Sequence, residues 1–529
     1  MHSPPGARLN LTAYLLDHHL AAGRADRVAL WCEDTPVTYG QLIDQVDRAA
    51  AALRALNVQP EQRVAVLLPD SLAFVTAFLG AIKIGAVAVP LNTALRATDY
   101  AHVLDDSGVV VLVAAPALLP LVAAALPRCR RLREVILADG GPDGWEARLA
   151  RAVPLRAPAE THAEDMAFWL YSSGTTGLPK GVVHLHRDVL PCLRFPEAVC
   201  DLREQDTTFA VSKLFFAYAL GNNLFAPLRL GASALLYPER PEPRAVLDYL
   251  RRRQPTVLFS VPSFYAALLR VADAPPDALG SVRLAVSAGE VLSPEVYRRW
   301  RERFGVELVD GIGTTENIYT FISNRPGAVR PGSSGQPVPG FAVRLVDDAG
   351  RDVGVDEPGY LLLRSESAAA FYWHDFGRTR QAYLGEWLRT GDVYRRDADG
   401  YYWHCGRADD IFKVDGQWVW PSEIEHLLCE HPAVAEAAVV AATAEDGLVK
   451  PRAFVRLREG WTPSAELAAA LQAHVRERTA PYKFPRWIEF VAELPRTATG
   501  KVQRYKLRED RAPRSTSREH PEPPPGEGS

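Results

Sequence analysis

Hydrophobic and polar positions in the first part of the chain alternate between helical and strand periods. Thr38 and Gln41 have the spacing of a capping box, and apolar residues then recur at helical spacing. A short apolar strand is predicted over 63–68, a helix over 71–83 and another strand over 86–89. This alternation predicts a parallel sheet that is covered by helices.

The same alternation returns near residue 280. A strand is predicted over 282–286, and Ser293 with Pro294 indicates the N-terminus of the following helix. The next strand, over 306–309, is predicted to end in a Gly- and Thr-rich loop over 310–316. Open α/β sheets bind ligands beyond the carboxyl ends of their strands, so this loop is a candidate binding segment.

The later part of the chain changes character twice. Short strands and turns from about residue 343 to 405 predict a β-rich subdomain, and β/α alternation resumes with a helix around 422–430. The predicted fold class is α/β, with a large N-terminal domain of βα-type subdomains plus the β-rich subdomain over 1–408. A small α+β C-terminal domain follows over 409–511, and a Pro-, Glu-, Ser- and Gly-rich tail over 512–529 is expected to be disordered.

One apolar stretch, 108–127, is uncharged over about the length that spans a bilayer. Pro116 and Pro120 interrupt it and its first part is β-branched, so we expect a buried strand, a turn and a short helix. The cysteines show neither a CxxC pair nor the spacing of a zinc site, and the N-terminus lacks the apolar core of a signal peptide. These features predict a reduced, cytoplasmic protein without a membrane partner.

Composition limits the possible functions. The 529 residues are 47% apolar, which predicts a globular protein, and the net charge of −4 excludes nucleic-acid binding through bulk positive charge. Few of the 60 basic residues are lysines, a skew that indicates GC-biased coding. A retained lysine is therefore a candidate for a role that requires an ammonium group, although the sequence assigns no role to Lys83, Lys213 or Lys450.

The segment 171–181, YSSGTTGLPKG, combines glycines, hydroxyl residues and one lysine. Its amides, hydroxyls and ammonium are suited to wrapping a polyphosphate. It is not a Walker A loop, because Pro179 and Gly181 stand where that motif requires Gly and Ser or Thr. A surface linker is the alternative, but strand-like residues on both sides favour a loop held within a fold.

The sequence resembles the adenylate-forming superfamily of acyl- and aryl-CoA ligases, luciferase and nonribosomal adenylation domains, to about residue 510. Five motifs in the family order carry this resemblance: 171–181, GTTE at 313–316, TGD at 390–392, GRADD at 406–410 with PSEIE at 421–425, and PRTATGK at 495–501. Further segments are similar to those of benzoate-CoA ligases: 213–222, 287–290, 323–327 and 480–485.

The resemblance implies that ATP activates a carboxylate as an acyl adenylate, with Mg²⁺ and coenzyme A also taking part. Lys501 would bridge the carboxylate and the α-phosphate, two anions that must be brought together. Glu316 would bind Mg²⁺, Thr315 would contact the α-phosphate, and Asp392 with Arg407 would hold the ribose. The alternatives are a solvated lysine, a charge at a helix N-terminus, a turn aspartate and a surface arginine. The other implied nucleotide contacts are Ser172, Ser173, Gly174, Thr175, Thr176, Gly177, Lys180, Ala288, Gly289, Glu290, Asp310, Gly311, Ile312, Gly313 and Thr314.

The resemblance also implies an aryl-acid pocket. Small residues beside aromatic ones would form a flat slot for a planar ring. Tyr319 and Thr320 stand where benzoate-CoA ligases commonly have His and Ile, so we expect a benzoate with a hydroxyl or amino substituent that one of these two residues recognises. The implied pocket residues are Phe216, Ala217, Tyr218, Gly313, Tyr319 and Thr320.

The resemblance also implies that the C-terminal domain is mobile. A rotation about the hinge Asp409 would withdraw Lys501 after adenylation and bring Gly416 to the site for the CoA step. The leading hypothesis is an ATP-dependent aryl-CoA ligase that acts on a small aryl acid, ATP and CoA. A stand-alone adenylating enzyme that loads a carrier protein is the first alternative. A catalytically silent nucleotide-binding protein is the second, and the intact Lys501, Glu316 and Asp392 argue against it.

Overall fold

The computed structural model describes residues 6–172, 178–275, 277–415, 417–444, 446–496 and 502–509. The chain divides into two compact units, Met1–Ala408 and Asp409–Ser529. Strands and helices alternate in both units, and the predicted α/β class is confirmed. The tail over 512–529 lies outside the described residues.

The described strands of the first unit lie in three sheets. In chain order they are β1 (Val28–Cys32), β2 (Thr35–Thr38), β3 (Arg63–Leu67), β4 (Val87–Pro90), β5 (Val111–Ala114), β6 (Glu134–Leu137), β7 (Met166–Ser172), β8 (Lys180–Leu185), β9 (Thr207–Ala210), β10 (Ser233–Leu236), β11 (Val257–Ser260), β12 (Leu284–Ser287), β13 (Glu307–Gly313), β14 (Thr320–Ser323), β15 (Gln336–Pro337), β16 (Ala342–Val346), β17 (Gly359–Arg364), β18 (Phe371–Tyr372), β19 (Tyr383–Leu384), β20 (Trp387–Arg396) and β21 (Tyr402–Arg407).

Helices connect these strands. The α-helices of the first unit are α1 (Leu11–Leu16), α2 (His18–Ala21), α3 (Tyr39–Ala55), α4 (Leu72–Lys83), α5 (Ala97–Ser107), α6 (Leu119–Val122), α7 (Trp145–Arg151), α8 (Arg194–Cys200), α9 (Ala217–Leu220), α10 (Ala226–Leu230), α11 (Pro243–Arg253), α12 (Pro262–Leu268), α13 (Pro294–Phe304) and α14 (Phe376–Ala382).

Two of the three sheets are mainly parallel. The first has the strand order β18-β8-β7-β4-β3-β5-β6, and the second has the order β15-β14-β13-β12-β11-β9-β10-β1-β2. Parallel pairing runs through the centre of each sheet. Antiparallel pairs occur at one end of the first sheet and at both ends of the second. The third sheet, β16-β17-β20-β19 with β21 on β20, is antiparallel and confirms the predicted β-rich subdomain.

The pair of helices α3 and α4 shows how local sequence forms these elements. The Thr38 hydroxyl accepts from the Gln41 amide, and the Gln41 side chain accepts from the Thr38 amide, so the predicted capping box is confirmed. The Ser71 hydroxyl caps α4. The two helices pack so closely that a Cβ on Gly80 would lie 2.7 Å from the Cβ of Ala49.

The apolar stretch over 108–127 forms the strand β5, a 3₁₀ turn over Pro116–Leu118 and the short helix α6. The predicted strand, turn and helix are therefore confirmed. Among the described residues, no helix combines the length and the apolar character needed to span a membrane.

The predicted loop over 310–316 is wrong in its first half. β13 continues through Gly313, because beyond Asp310 it leaves its parallel partner β12 and pairs antiparallel with β14. Gly311 permits this approach, since a Cβ there would lie 2.6 Å from the carbonyl oxygen of Ile322. The β-rich region also differs in one respect from the prediction: its strand β18 pairs with β8 of the first sheet.

The second unit has two small sheets among its described residues, β22-β23 and β24-β25-β26. The helix predicted around 422–430 is confirmed as the first helix of this unit. Its strands are β22 (Phe412–Val414), β23 (Gln417–Val419), β24 (Val434–Thr443), β25 (Val449–Leu457) and β26 (Trp487–Phe490), and its helices are α15 (Pro421–Glu430), α16 (Ala465–Arg476) and α17 (Arg504–Glu509).

Candidate active site

The Gly- and Thr-rich segment predicted to contact phosphates connects two strands of one hairpin. β7 and β8 are antiparallel, and Ser172 is in register with Lys180. The strand-like flanks predicted for this segment are therefore confirmed. Its central residues lie outside the described part of the chain: Ser173, Gly174, Thr175, Thr176 and Gly177.

Lys180, Glu316 and Tyr372 form a polar cluster, called here the Glu316 cluster. The Lys180 ammonium donates to Glu316 Oε1 at 3.0 Å, and the Tyr372 hydroxyl donates to the same oxygen at 2.8 Å. Lys180 Nζ also lies 3.8 Å from the centroid of the Tyr372 ring. The Lys180 and Glu316 side chains are 19% and 16% exposed, so the pair is mostly withdrawn from water.

The electrostatics of the cluster keep Glu316 ionised. Burial alone would raise the pKa of Glu316, but the Lys180 ammonium and the hydrogen bonds from Tyr372 and Lys180 lower this pKa below its ordinary value. Burial and the Glu316 carboxylate raise the pKa of Tyr372, so its hydroxyl remains a donor. The cluster therefore presents one charged carboxylate beside one ammonium group.

This carboxylate fits the predicted role of a Mg²⁺ ligand. Magnesium commonly binds one or two protein carboxylates and completes its octahedron with water and substrate phosphates. No group of three or more His, Cys, Asp or Glu side chains suited to a metal occurs among the described residues. Glu316 suits the substrate-dependent kind of magnesium site, in which the nucleotide supplies further oxygens.

A buried His184 and Asp188 pair supports the loop that carries Glu316. His184 Nε2 lies 2.9 Å from the carbonyl oxygen of Thr315, so this nitrogen must donate. His184 Nδ1 lies 3.2 Å from Asp188 Oδ2, which also accepts from the Leu185 amide. Nε2 therefore fixes the Thr315 carbonyl, and the contact of Nδ1 with Asp188 orients the imidazole ring.

A strained turn follows Glu316. Ile318 has φ 65°, which is rare for a β-branched residue and costs about 1–3 kcal/mol. The Asn317 side-chain amide donates to the Tyr319 carbonyl at 2.9 Å, and the Ile318 amide donates to the Thr314 carbonyl at 3.0 Å. These bonds hold the turn that leads from Glu316 into β14.

The residues predicted to hold the ribose face each other across two strands. Asp392 on β20 is in register with Arg407 on β21, and the guanidinium donates to Asp392 Oδ1 at 2.9 Å. His404 Nε2 lies 3.6 Å from the same oxygen. Burial alone would raise the pKa of Asp392, but the Arg407 charge, with His404, holds it well below its usual range. Asp392 is therefore an oriented, ionised acceptor.

The segments predicted to surround adenine lie at the ends of β12 and on β13. Ala288 is buried, and Gly289 has φ 91°, a conformation that favours glycine. The Glu290 carboxylate accepts from the Ser263 amide at 3.1 Å, so it caps the helix α12. Burial raises the pKa of Asp310 well above its ordinary value. The predicted residues Gly311, Ile312 and Gly313 continue along β13.

The predicted aryl-pocket residues come from α9 and the residue preceding it, from the end of β13, and from β14 and the residue preceding it. Phe216 and Tyr218 pack against the main hydrophobic core beside the helix residue Ala217. The Tyr218 hydroxyl donates to the Val286 carbonyl at 2.9 Å. The buried Tyr319 hydroxyl donates to the Val189 carbonyl at 3.3 Å, so it already has a protein partner.

Three other buried hydroxyl groups of the predicted site differ in hydrogen bonding from those of Tyr218 and Tyr319. Among the described residues, the hydroxyls of Ser172, Thr314 and Thr320 have no hydrogen-bond partner. A buried polar group without a partner costs about 1–3 kcal/mol. These hydroxyls are therefore candidates for contacts with a bound ligand.

The second unit carries the remaining predicted site residues. Lys501 and Gly416 lie outside the described residues. The Asp409 carbonyl accepts from the Arg508 guanidinium at 3.0 Å, and Arg504 on the same helix pairs with Glu425 at 2.8 Å. Helix α17 is thus tied to the first residues of this unit and to α15.

The lysines without a predicted role have structural partners. Lys83 forms an ion pair with Asp47 inside the first unit. Lys213 donates to the carbonyls of Tyr237 and Glu239. Lys450 pairs with Asp415 at 3.0 Å within the second unit.

Sequence reasoning missed four residues that support the site: Tyr372, His184, Asp188 and His404. His184 and Asp188 have i, i+4 spacing, which is a weak signal of contact. Nothing in the sequence links Tyr372 or His404 to the carboxylates they contact.

Comparisons with known proteins agree over most of the chain. The family model of the AMP-binding enzymes matches residues 17–373, and that of the AMP-binding enzyme C-terminal domain matches residues 423–501. A benzoate–CoA ligase of Thauera aromatica is 44% identical over 517 residues, which cover 96% of this chain and 98% of that protein. A 4-hydroxybenzoate–CoA/benzoate–CoA ligase of Rhodopseudomonas palustris is 44% identical over 506 residues, 94% of each chain.

A solved structure is similarly close. The anthranilate CoA ligase AuaEII, crystallised in complex with anthranoyl-AMP, has a TM-score of 0.88 and 43% identity, and the match covers 94% of this chain and 96% of that one.

Proposed function

The chain belongs to the AMP-binding enzyme family, and from this premise we propose that it is an ATP-dependent aryl-CoA ligase. It activates an aryl carboxylic acid as an aryl-AMP and transfers the acyl group to coenzyme A, releasing AMP and diphosphate. The full-length similarity to ligases named for benzoate, hydroxybenzoate and anthranilate supports this substrate class. The cytoplasmic location stays a prediction of the sequence.

The observation that carries the proposal is the contact between Lys180 and Glu316. One belongs to the Gly- and Thr-rich phosphate motif and the other to the GTTE motif, and their charged groups lie 3.0 Å apart. An ammonium suits phosphate oxygens and a carboxylate suits Mg²⁺. Two motifs with complementary roles towards a metal–polyphosphate therefore meet at one place.

In this proposal, different residues bind the phosphates, the metal and the ribose of the nucleotide. Lys180 would bind the β- and γ-phosphates, Thr315 the α-phosphate, and Glu316 would hold Mg²⁺. Bound there, Mg²⁺ would neutralise charge on the phosphate oxygens. The ionised Asp392 carboxylate, oriented by Arg407, is suited to accept hydrogen bonds from the ribose hydroxyls. The adenine contacts and the aryl pocket remain as predicted from the resemblance.

The C-terminal domain over 409–511 completes the chemistry in this proposal. Lys501 would approach the carboxylate and the α-phosphate, and a rotation about Asp409 would replace it with Gly416 for the thiol step. Asp409→Pro should spare adenylate formation, measured as ATP–pyrophosphate exchange, and abolish thioester formation. Equal loss of both half-reactions would contradict the hinge.

The acid is proposed to be a benzoate with a hydroxyl or amino substituent. Thr320 is the better candidate for recognising it, because its buried hydroxyl has no partner among the described residues, whereas the Tyr319 hydroxyl contacts Val189. Thr320→Val should lower kcat/KM for the substituted acid by about tenfold and leave that for benzoate nearly unchanged. A wild-type enzyme with a higher kcat/KM for benzoate than for every hydroxy- and aminobenzoate would refute the proposal that the acid carries such a substituent.

One experiment separates the remaining alternatives. ATP–pyrophosphate exchange over a panel of aryl acids tests adenylation, and mass detection of the product with CoA or with a carrier protein identifies the thiol acceptor. Aryl-CoA is the expected product. Transfer to a carrier protein alone would favour a stand-alone adenylating enzyme, and ATP binding without exchange would favour a silent nucleotide-binding protein.

A further inference from the structure

We propose that Tyr372 is a positioning residue for the Mg²⁺–ATP complex. Its hydroxyl holds the Glu316 carboxylate in the orientation that binds the metal after the Lys180 ammonium has turned to the phosphates. The inference rests on the proposed function, and it assigns a role to a residue that none of the predicted motifs contains.

The backbone around Tyr372 fixes it to both sides of the Glu316 cluster. Tyr372 on β18 is in register with Val182 on β8, the strand that begins at Lys180. The Ala369 amide donates to the carbonyl of Glu316 at 2.7 Å. The segment that carries Tyr372 is therefore attached to the strand of the ammonium and to the residue with the carboxylate, and its hydroxyl is 2.8 Å from Glu316 Oε1.

The chemistry of the cluster gives the two donors different roles. Lys180 is a cation whose charge is suited to phosphate oxygens, and in this structure it is shared between Glu316 and the face of the Tyr372 ring. When the ammonium binds phosphate, Glu316 loses a counter-ion. The Tyr372 hydroxyl is a neutral donor, so its hydrogen bond to Glu316 persists when the ammonium leaves. The Glu316 carboxylate has further lone pairs that can bind a metal.

The ring of Tyr372 has a separate packing function. It belongs to a small apolar cluster with Val182 and Ala369. Tyr372→Phe preserves this packing and removes only the hydroxyl group. Tyr383→Phe is a matched control, because the two rings lie 5.8 Å apart and the buried Tyr383 hydroxyl has no partner among the described residues.

The test is calorimetric titration of the full-length protein with ATP, once with Mg²⁺ and once with EDTA. The wild type should bind ATP more tightly with Mg²⁺ than with EDTA. Tyr372→Phe should reduce this magnesium-dependent gain by about tenfold, the usual effect of losing a hydrogen bond to a charged group, and leave the affinity in EDTA nearly unchanged. In steady state the KM for ATP should rise while the KM for the aryl acid stays constant.

A double-mutant cycle shows whether Tyr372 acts through Glu316. Tyr372→Phe should have no further effect on magnesium-dependent binding in a Glu316→Gln background. The inference is overturned if Tyr372→Phe retains the full magnesium-dependent gain, if Tyr383→Phe loses as much, or if the two changes are additive. A wild-type protein that binds no ATP would overturn the proposed function as well. The titration of the wild type comes before any variant is compared, so the two failures can be distinguished.

Discussion

Two lysine–carboxylate pairs in the first unit have the same chemistry and differ in burial. Lys83 and Asp47 join α4 to α3, and their side chains are 2% and 1% exposed. Lys180 and Glu316 lie at the start of β8 and after β13, and their side chains are 19% and 16% exposed. Lys83 and Asp47, called here the sealed pair, are enclosed by the packed helices. Lys180 and Glu316, called here the open pair, remain partly accessible to water.

The partners of each pair explain what the difference in exposure permits. Asp47 also accepts from the Arg156 guanidinium at 3.1 Å, so two protein cations contact its carboxylate. Glu316 has one ammonium and the neutral Tyr372 hydroxyl. The charges of a sealed pair depend on each other and are closed off from ligands, whereas a partly open pair can exchange its protein partner for a ligand. We therefore expect burial to separate a structural lysine from a lysine that binds a ligand.

The largest expected effect comes from breaking the sealed pair. Asp47→Ala leaves the Lys83 ammonium buried without its carboxylate and should lower the free energy of unfolding by about 3–5 kcal/mol. Denaturant-induced unfolding measures this change in the free energy of unfolding. Asp44→Ala is the control, since Asp44 is more exposed and its loss should cost under about 1 kcal/mol. Equal losses in the two variants would show that burial does not determine the effect.

Breaking the open pair should instead affect activity. Glu316→Gln keeps the shape of the side chain and removes the charge, so ATP–pyrophosphate exchange should fall by about 100-fold while the melting temperature changes little. Glu307→Gln, on the first residue of β13 and paired with Arg301, should leave exchange unchanged. A large loss of stability in Glu316→Gln would place this pair in the same structural class as Lys83 and Asp47.

Asp70 sharpens the comparison because it is a buried carboxyl without an ion pair among the described residues. Burial raises its pKa from 3.8 to about 6, although the Lys213 charge and the Leu214 amide oppose this shift. A raised carboxyl pKa means that stability is lost as pH rises from about 4 to about 6 and then stays constant.

Asp70→Asn keeps an oxygen that can accept from the Leu214 amide at this site. At pH 8 the variant should be more stable than the wild type by on the order of 2 kcal/mol, and the difference should vanish near pH 4. Unfolding midpoints over this pH range provide the measurement. Parallel pH profiles for the two proteins would contradict the burial effect.

The smallest effect on stability is expected when both members of the sealed pair are replaced together. Asp47→Leu with Lys83→Met removes both charges and keeps apolar volume, so the stability should stay within about 1 kcal/mol of the wild type. The matching change at the open pair, Glu316→Leu with Lys180→Met, should also fold but show no exchange activity. A stable, active second double variant would contradict the functional role of that pair.

Local patterns predicted many of the elements correctly. The capping box of α3, the N-terminus of α13 and the strand, turn and helix over 108–127 each depend on residues close together in sequence. The prediction failed at 310–313, where pairing between β13 and β14 extends a strand into a segment whose Gly and Thr content is typical of loops.

The sequence by itself determined the α/β class, the motifs and the family, because short-range patterns and the order of the motifs do not depend on knowing which strands pair. Tertiary structure alone decided that Lys180 meets Glu316, that Tyr372 reaches the same carboxylate, and that Lys83 is sealed beside Asp47. The two residues of each contact lie at least 36 positions apart in the chain. Sheet order and helix packing set such distances, and residue type does not.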